Sequence, residues 1–292
     1  MQQNGRLACF QVVTDTHVTT DAQHVHNLNF ERALLDIAAL EPDSLGIMHV
    51  GDITDHGWEA EYEEMVRIWA QCRAHGLSVP IRFAQGNHDL FYGGAEEQLG
   101  RFQRFTGMPG PYHAHEVGGY LFLFLGSERN EPDQKDFAYL STEQLAWLEE
   151  QLRGAEAGKP VFVFLHQPLK DTVSGSLEGQ GWHGVIQDQE LREIVRRYPQ
   201  IIMFSGHTHW ELEAPACMHG GDGASPAMFN AASVGYLWTD EDEHKVGSQG
   251  LYVDIYADRV VVKGRDFEGG RWVEAAQFEV AIGGAGRTED IA

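Results

Sequence analysis

Seven residues in five short clusters carry groups able to ligate a cation. They are Asp15 and His17 in Asp15-Thr16-His17, Asp52 in Gly51-Asp52-Ile53-Thr54-Asp55, Asn87 in Gly86-Asn87-His88-Asp89, the isolated His166, and His207 and His209 in Gly206-His207-Thr208-His209. Carboxylate, amide-carbonyl and imidazole donors together suit borderline-to-hard divalent transition metals. Each cluster alone has a plain structural reading: an Asp opening a turn, a Gly-Asp or Gly-Asn turn pair, or a hydrogen-bonded His after an apolar strand. All five following strand-like runs is a much less ordinary coincidence. Residues i and i+2 at a strand end project to one side, so Asp15 with His17, and His207 with His209, can each grip one ion. Seven ligands exceed the needs of one four-coordinate zinc and suit two ions sharing a carboxylate.

The elements that must position these groups alternate between strand and helix. Strand-like runs cover Leu7 to Thr14, Leu45 to Val50, Val79 to Ala84, Val161 to Leu165 and Ile201 to Ser205, each ending at one of the clusters. Helical patterns cover Leu28 to Leu40, Trp58 to His75, Glu96 to Phe105 and Asp188 to Tyr198, with Ser141-Thr-Glu-Gln144 reading as a capping box for a helix through Leu152. Tyr112 to Val117 and Tyr120 to Leu125 read as a hairpin turning at Gly118-Gly119. The region from Ala227 to Val280 reads as mostly β, and the loops Cys217 to Ser225 and Thr239 to Gln249 as mobile. In open α/β sheets the carboxyl ends of strands are where ligand sites form. The organisation is therefore one domain over 1–282, with motifs at 15–209, β segments at 227–280 and a flexible tail at 283–292.

The 292-residue chain carries 21 basic against 44 acidic residues, a net charge of −23, which argues against a polyanionic nucleic acid or an anionic membrane as main partner. Three widely spaced cysteines give neither a metal-knuckle pattern nor a disulfide framework, and a reduced, cytoplasmic setting is expected. The N-terminal run has no apolar core of a signal peptide, and the apolar stretches are too short to span a bilayer.

The ordered series DTH, GDITD, GNHD, a lone His and GHTH resembles the calcineurin-like metallophosphoesterase superfamily over Asp15 to His209. GNHD with a single histidine in HQP is similar to the bacterial cyclic-nucleotide-type (class III) phosphodiesterases. The resemblance implies a four-layer αββα sandwich of two mixed β-sheets flanked by helices, with a dinuclear site at strand C-terminal ends. It implies two divalent ions (Mn, Fe or Zn), the first held by Asp15, His17 and His209, the second by Asn87, His166 and His207, with Asp52 bridging. Asn87 and His88 would face substrate, and His88 would act as general acid or as a stabilising cation. Asp55 matches the position whose carboxylate pairs with that histidine, raising its pKa. The implied reaction is in-line attack at phosphorus by a hydroxide bridging the two ions, with His88 protonating the leaving alkoxide.

In the protein Ser/Thr phosphatase branch an Arg follows GDxxD, whereas this chain has His56, which weakens that assignment. A phosphodiester carries one charge and needs less cationic clamping, and few Lys or Arg flank the motifs, so a small phosphodiester such as a cyclic nucleotide or a glycerophosphodiester is favoured over a monoester. An inactive scaffold is disfavoured by the intact ligand set, and an amidohydrolase barrel by HxH coming last rather than first. The loop Gln167 to Gln187 could serve as a lid or be a surface insertion with a packed Trp182. Phe91 and Tyr92 could line a pocket, although core packing is the commoner fate of aromatics. His49, His113, His115, His219 and His244 read as ordinary histidines.

Overall fold

Alternation along the strands builds two opposite apolar faces, and this decides the layering. The computed structural model describes residues 5–130, 133–222 and 225–282; the expected tail at 283–292 lies outside them. In chain order the elements are β1 (Ala8–Val13), α1 (Val25–Leu40), β2 (Ile47–His49), α2 (Glu59–Ala74), β3 (Ile81–Phe83), α3 (Ala95–Thr106), β4 (His113–Val117), β5 (Tyr120–Phe124), α4 (Thr142–Gly154), β6 (Val161–Phe164), α5 (Asp188–Val195) and β7 (Ile201–Ser205). They continue as β8 (Met218–His219), β9 (Ala227–Asn230), β10 (Leu237–Trp238), β11 (His244–Lys245), β12 (Gln249–Ile255), β13 (Arg259–Asp266) and β14 (Arg271–Ala281).

One sheet has the order β14-β13-β12-β1-β2-β3 and the other β4-β5-β6-β7-β9-β8. β1, β2 and β3 run parallel, as do β5, β6, β7 and β9, and antiparallel strands complete each sheet. Phe10 and Val12 of β1 pack with Phe162 and Phe164 of β6 and Phe204 of β7 in the core between the sheets. Phe10 meets the rings of Phe122, Phe162 and Phe204 edge-on at 4.7–6.0 Å, the arrangement aromatic quadrupoles favour. The opposite faces are covered by helices: Val13, Ile47 and Phe83 pack with Phe30, Met65 and Phe102 of α1, α2 and α3, while Val161, Val163 and Met203 pack with Leu148 and Leu191 of α4 and α5. The result is the mixed α/β, two-sheet arrangement that the motif resemblance implied.

Two local expectations are corrected. Ser141 caps α4, accepting from the backbone of Gln144, but Gln144 does not reach back: its buried amide pairs with the backbone of Gly126 in both directions, and Glu128 takes the Ser141 N–H instead. The segment Thr239 to Gln249 is not a free loop, because Leu237 and Trp238 pair with Lys245 and His244 as a short antiparallel ribbon. Two-residue strands carry no periodicity from which to read them. Among the described residues no helix is long and apolar enough to cross a membrane.

Candidate metal centre

The five clusters leave the C-terminal ends of β1, β2 and β3 in one sheet and of β6 and β7 in the other, and they converge where those ends meet. Backbone hydrogen bonds tie the loops together. Asp15 N donates to the carbonyl of Gly51, His17 N to Asp52, and Gly206 N to His166, at 2.9–3.1 Å. Across the two sheets, His207 N donates to both oxygens of the Asp15 carboxylate at 3.0 and 3.2 Å. Asp15, His17, Asp52, His207 and His209 all have φ between 43° and 68°, in the left-handed region that non-glycine residues rarely occupy. Five such residues in one cluster are held there by the surrounding structure, a pattern typical of functional sites.

Two glycines permit the convergence. A Cβ on Gly86 would overlap Asp52 Oδ1 and its backbone nitrogen, and one on Gly206 would overlap Thr14 Oγ1 and Asp15 Oδ2. Neither has a positive φ, so close approach alone requires glycine there.

Asp15, His17, Asp52 and His209 bring ligand atoms within 4.8 Å of one another, and so do Asp52, His166 and His207; Asp52 belongs to both groups. His17 Nε2 lies 3.2 Å from His209 Nε2, and His209 Nε2 lies 2.9 Å from Asp15 Oδ1. Asn87 Oδ1 lies 3.0 Å from His207 Nδ1. All seven residues are at most 6% exposed.

The donor chemistry fits cations. His166 Nδ1 is 2.8 Å from the carbonyl of Val50, so the proton sits on Nδ1 and Nε2 offers a lone pair. That lone pair lies 3.1 Å from Asp52 Oδ2, itself an acceptor. Two buried acceptors at this separation need a cation to reconcile them, either a proton or a metal ion. Burial lowers the His166 pKa, but the neighbouring charges of Asp52 and Asp15 draw it up to about 9. Burial also opposes ionisation of the two carboxyls, yet His209 and His166 beside Asp15, and His166 and His88 beside Asp52, hold both below the usual carboxylate range. His207 goes the other way: burial, aided by charge on His166, lowers it to about 3, leaving a neutral imidazole of the kind metals bind.

His88 is half-buried, its ring meeting His17 edge-on at 4.5 Å. The expected pairing with the Asp55 carboxylate is corrected. His88 Nδ1 donates to the Asp55 backbone carbonyl at 2.7 Å, while the carboxylate turns to His17 Nδ1 at 3.2 Å and His56 Nδ1 at 3.3 Å. The direction of the shift still holds. Burial lowers His88, but the Asp52 charge, the Asp55 carbonyl and the Asp55 charge together raise it.

Several supporting residues carried no role in the sequence reading. Asp89 accepts from Gly86 N, Ile53 N, Thr54 N, Thr54 Oγ1 and Tyr62 OH at 2.9–3.3 Å, joining the Asp52 and Asn87 loops. Its place inside GNHD was the available signal. Beyond β9, Ser233 Oγ and Gly235 N donate to the carbonyl of Asp15, and the Tyr236 ring lies 4.3 Å from His209. Applying the strand-end rule to β9 would have found this loop. His49 proves a buried core histidine whose Nε2 meets Thr16 Oγ1 at 2.9 Å beneath the Asp15 loop. Gln167 Nε2 reaches Asn87 Oδ1 at 3.4 Å, and Trp182, 40% exposed, sits 6.3 Å from the His207 ring. Tyr92, which follows the 3-10 turn His88–Leu90, is 54% exposed rather than packed in the core.

Residues 10–211 match the family described as calcineurin-like phosphoesterase. The chain is 27% identical over 270 residues to a probable cyclic nucleotide phosphodiesterase of Rhodopseudomonas palustris, covering 87% of this chain and 90% of that protein. It is 28% identical over 207 residues to a probable glycerophosphodiester phosphodiesterase of Arcobacter nitrofigilis, covering 68% and 70% respectively. The fold is similar to that of a dimetal phosphatase from Danio rerio, with a TM-score of 0.67 at 14% identity over 95% of this chain and all of that one. With the motifs matched in order and their ligand atoms converged at the sheet ends, the chain belongs to the calcineurin-like phosphoesterase family and is a metal-dependent phosphoric ester hydrolase.

Proposed function

We propose that this chain hydrolyses small phosphodiesters at a site for two divalent cations. The observation that carries the reading is that Asp52 belongs to both buried ligand groups, with His88 beside it. Asp15, His17 and His209 would hold one ion and Asn87, His166 and His207 the other, with Asp52 shared. When bound, the ions supply Lewis-acid charge to the phosphoryl oxygens and lower the pKa of a water.

The chain's own groups do the rest. The Asp52 carboxylate accepts from His88 N at 2.9 Å and fixes the backbone that carries the imidazole. With Nδ1–H held by the Asp55 carbonyl, His88 Nε2 is the nitrogen left to protonate a leaving alkoxide. The Asp55 carboxylate lies 3.2 Å from His17 Nδ1, while His17 Nε2 lies toward His209 in the cluster.

Two features favour a diester. The ion-pair partners of Asp15 and Asp52 among the described residues are histidines, and the position after Asp55 holds His56, paired with the Glu61 carboxylate at 2.8 Å. A monoanionic phosphodiester needs less fixed positive charge than a monoester dianion. The names of the two bacterial relatives point the same way. Three free, buried cysteines fit a reducing compartment such as the cytoplasm, and reading 1–282 as one domain rests on β12 pairing with β1. The test is turnover of bis(p-nitrophenyl) phosphate against p-nitrophenyl phosphate by Mn(II)-loaded protein. A higher kcat/KM for the diester is expected, and preference for the monoester would overturn the diester reading.

A further inference from the structure

An exposed set of aromatic rings stands beside His88. Trp58 is 46% exposed and Tyr92 54%. His56 stacks on Trp58 with centroids 4.2 Å apart and planes 13° from parallel, and Tyr92 completes a triangle at 5.7 Å from His56 and 6.1 Å from Trp58. Phe91 connects this triangle to the centre, 6.4 Å from Tyr92 and 4.3 Å from His88. A second link runs through Asp55, whose two carboxylate oxygens reach His56 and His17.

Two of its three corners are also held in place. Glu61, 1% exposed at the start of α2, accepts from His56 N at 2.9 Å, His56 Nδ1 at 2.8 Å and Trp58 N at 3.1 Å. A buried carboxylate thus fixes the backbone that carries an exposed Trp and the ring stacked behind it. Clustered exposed aromatics are uncommon away from binding surfaces, and a face fixed before binding loses little entropy when something stacks on it. With 46% of its surface exposed, Trp58 offers ring area to a flat partner, and stacking of bases on aromatic side chains tolerates any base.

We propose that Trp58, backed by His56 and flanked by Tyr92, is a stacking platform for a planar ring carried by the phosphoester, a nucleobase on a small nucleotide diester. This deepens the phosphodiesterase reading and rests on it for the reacting group, not for the ring. The platform sets specificity by binding the part of the substrate that does not react, so its contribution falls chiefly on KM.

The experiment compares wild type, Trp58→Ala, Trp58→Phe and Tyr92→Ala, all loaded with Mn(II) and checked for folding by circular dichroism. The first readout is the ratio of kcat/KM for 3′,5′-cyclic AMP to that for glycerophosphoglycerol, a diester with no ring. Loss of one stacking contact lowers this ratio roughly 5- to 100-fold in Trp58→Ala, through the KM for the nucleotide, with recovery in Trp58→Phe. Tyr92→Ala lowers it less. The second readout is calorimetric binding of 5′-AMP and of glycerol 3-phosphate, where the ratio of affinities falls in parallel. Ratios in Trp58→Ala equal to wild type in both readouts overturn the platform. Absence of diester turnover in wild type overturns the phosphodiesterase reading instead, and the AMP binding then still decides the platform.

Discussion

Placing a methyl group on Gly86 tests how closely the two halves of the cluster must approach. The new Cβ would stand 2.8 Å from Asp52 Cγ and nearer still to Asp52 Oδ1 and the Asp52 backbone nitrogen. The nitrogen cannot swing aside as a flexible side chain can, so the Asp52 loop and its carboxylate must retreat by about 1 Å. Overpacking of this kind costs about 1–3 kcal/mol of stability. A displacement of that size at a reacting centre costs about 100-fold in rate, or about 2.7 kcal/mol of transition-state binding. Asp52 is the residue common to both ligand groups, so Gly86→Ala is expected to lower bound metal as well as kcat/KM. The assay is bis(p-nitrophenyl) phosphate hydrolysis across a Mn(II) titration, with bound metal measured by plasma mass spectrometry and stability by urea unfolding. Gly100→Ala is the control: Gly100 lies within α3 with open space around its Cβ position, and alanine there is expected to stabilise by up to about 1 kcal/mol. Wild-type metal content and kcat/KM in Gly86→Ala would refute the close-approach reasoning.

His88→Gln is expected to lower kcat by about 10²- to 10⁴-fold while retaining bound metal, and a parallel loss of metal would make His88 a ligand rather than a proton donor. Asn87→Ala, which removes Oδ1 from beside His207, should reduce bound metal toward one ion per chain as read by equilibrium dialysis; unchanged stoichiometry would contradict its place in the second group. His113 is almost fully buried, with Nε2 held by the carbonyl of Phe83, and burial lowers it to about 4 from its usual 6.5. The unfolded chain therefore takes up this proton first as the medium acidifies, so the associated stability is present above about pH 6.5 and is lost as pH falls toward 4, about 3 kcal/mol in all. His113→Gln should flatten the fall in urea midpoint between pH 7 and pH 5, and an unchanged slope would contradict it.

The convergence of the candidate ligands was legible because metal chemistry restricts residue type and strand ends restrict where such groups gather. All five clusters follow strands, and Asp15 and His17 fall in one ligand group, but His207 and His209 divide between the two groups, and left-handed φ at all four residues replaces the strand alternation behind the i, i+2 rule. Sheet order was not legible from periodicity, since β1 pairs with β12 more than two hundred residues away and local patterning carries no record of such a partner. The motif resemblance supplied the layers instead. Side-chain direction was the weaker part. Asp55 lies in the right cluster, yet its carboxylate serves His17 and its backbone serves His88, a choice set by how the loops cross. Asp89, Glu61 and Tyr236 escaped notice because orienting residues need only a hydrogen-bonding group or a ring in the right place, which the chain can supply from many positions.

The central claim is a two-cation hydrolytic site that shares Asp52. Its most direct measurement is metal stoichiometry together with diester turnover in wild type and Asp52→Asn, after chelation and reloading with Mn(II). Two ions per chain and turnover that depends on them are expected in wild type, with both largely lost in Asp52→Asn because its carboxylate belongs to both groups. Full turnover in the chelated protein, or two tightly held ions in Asp52→Asn, would contradict the claim.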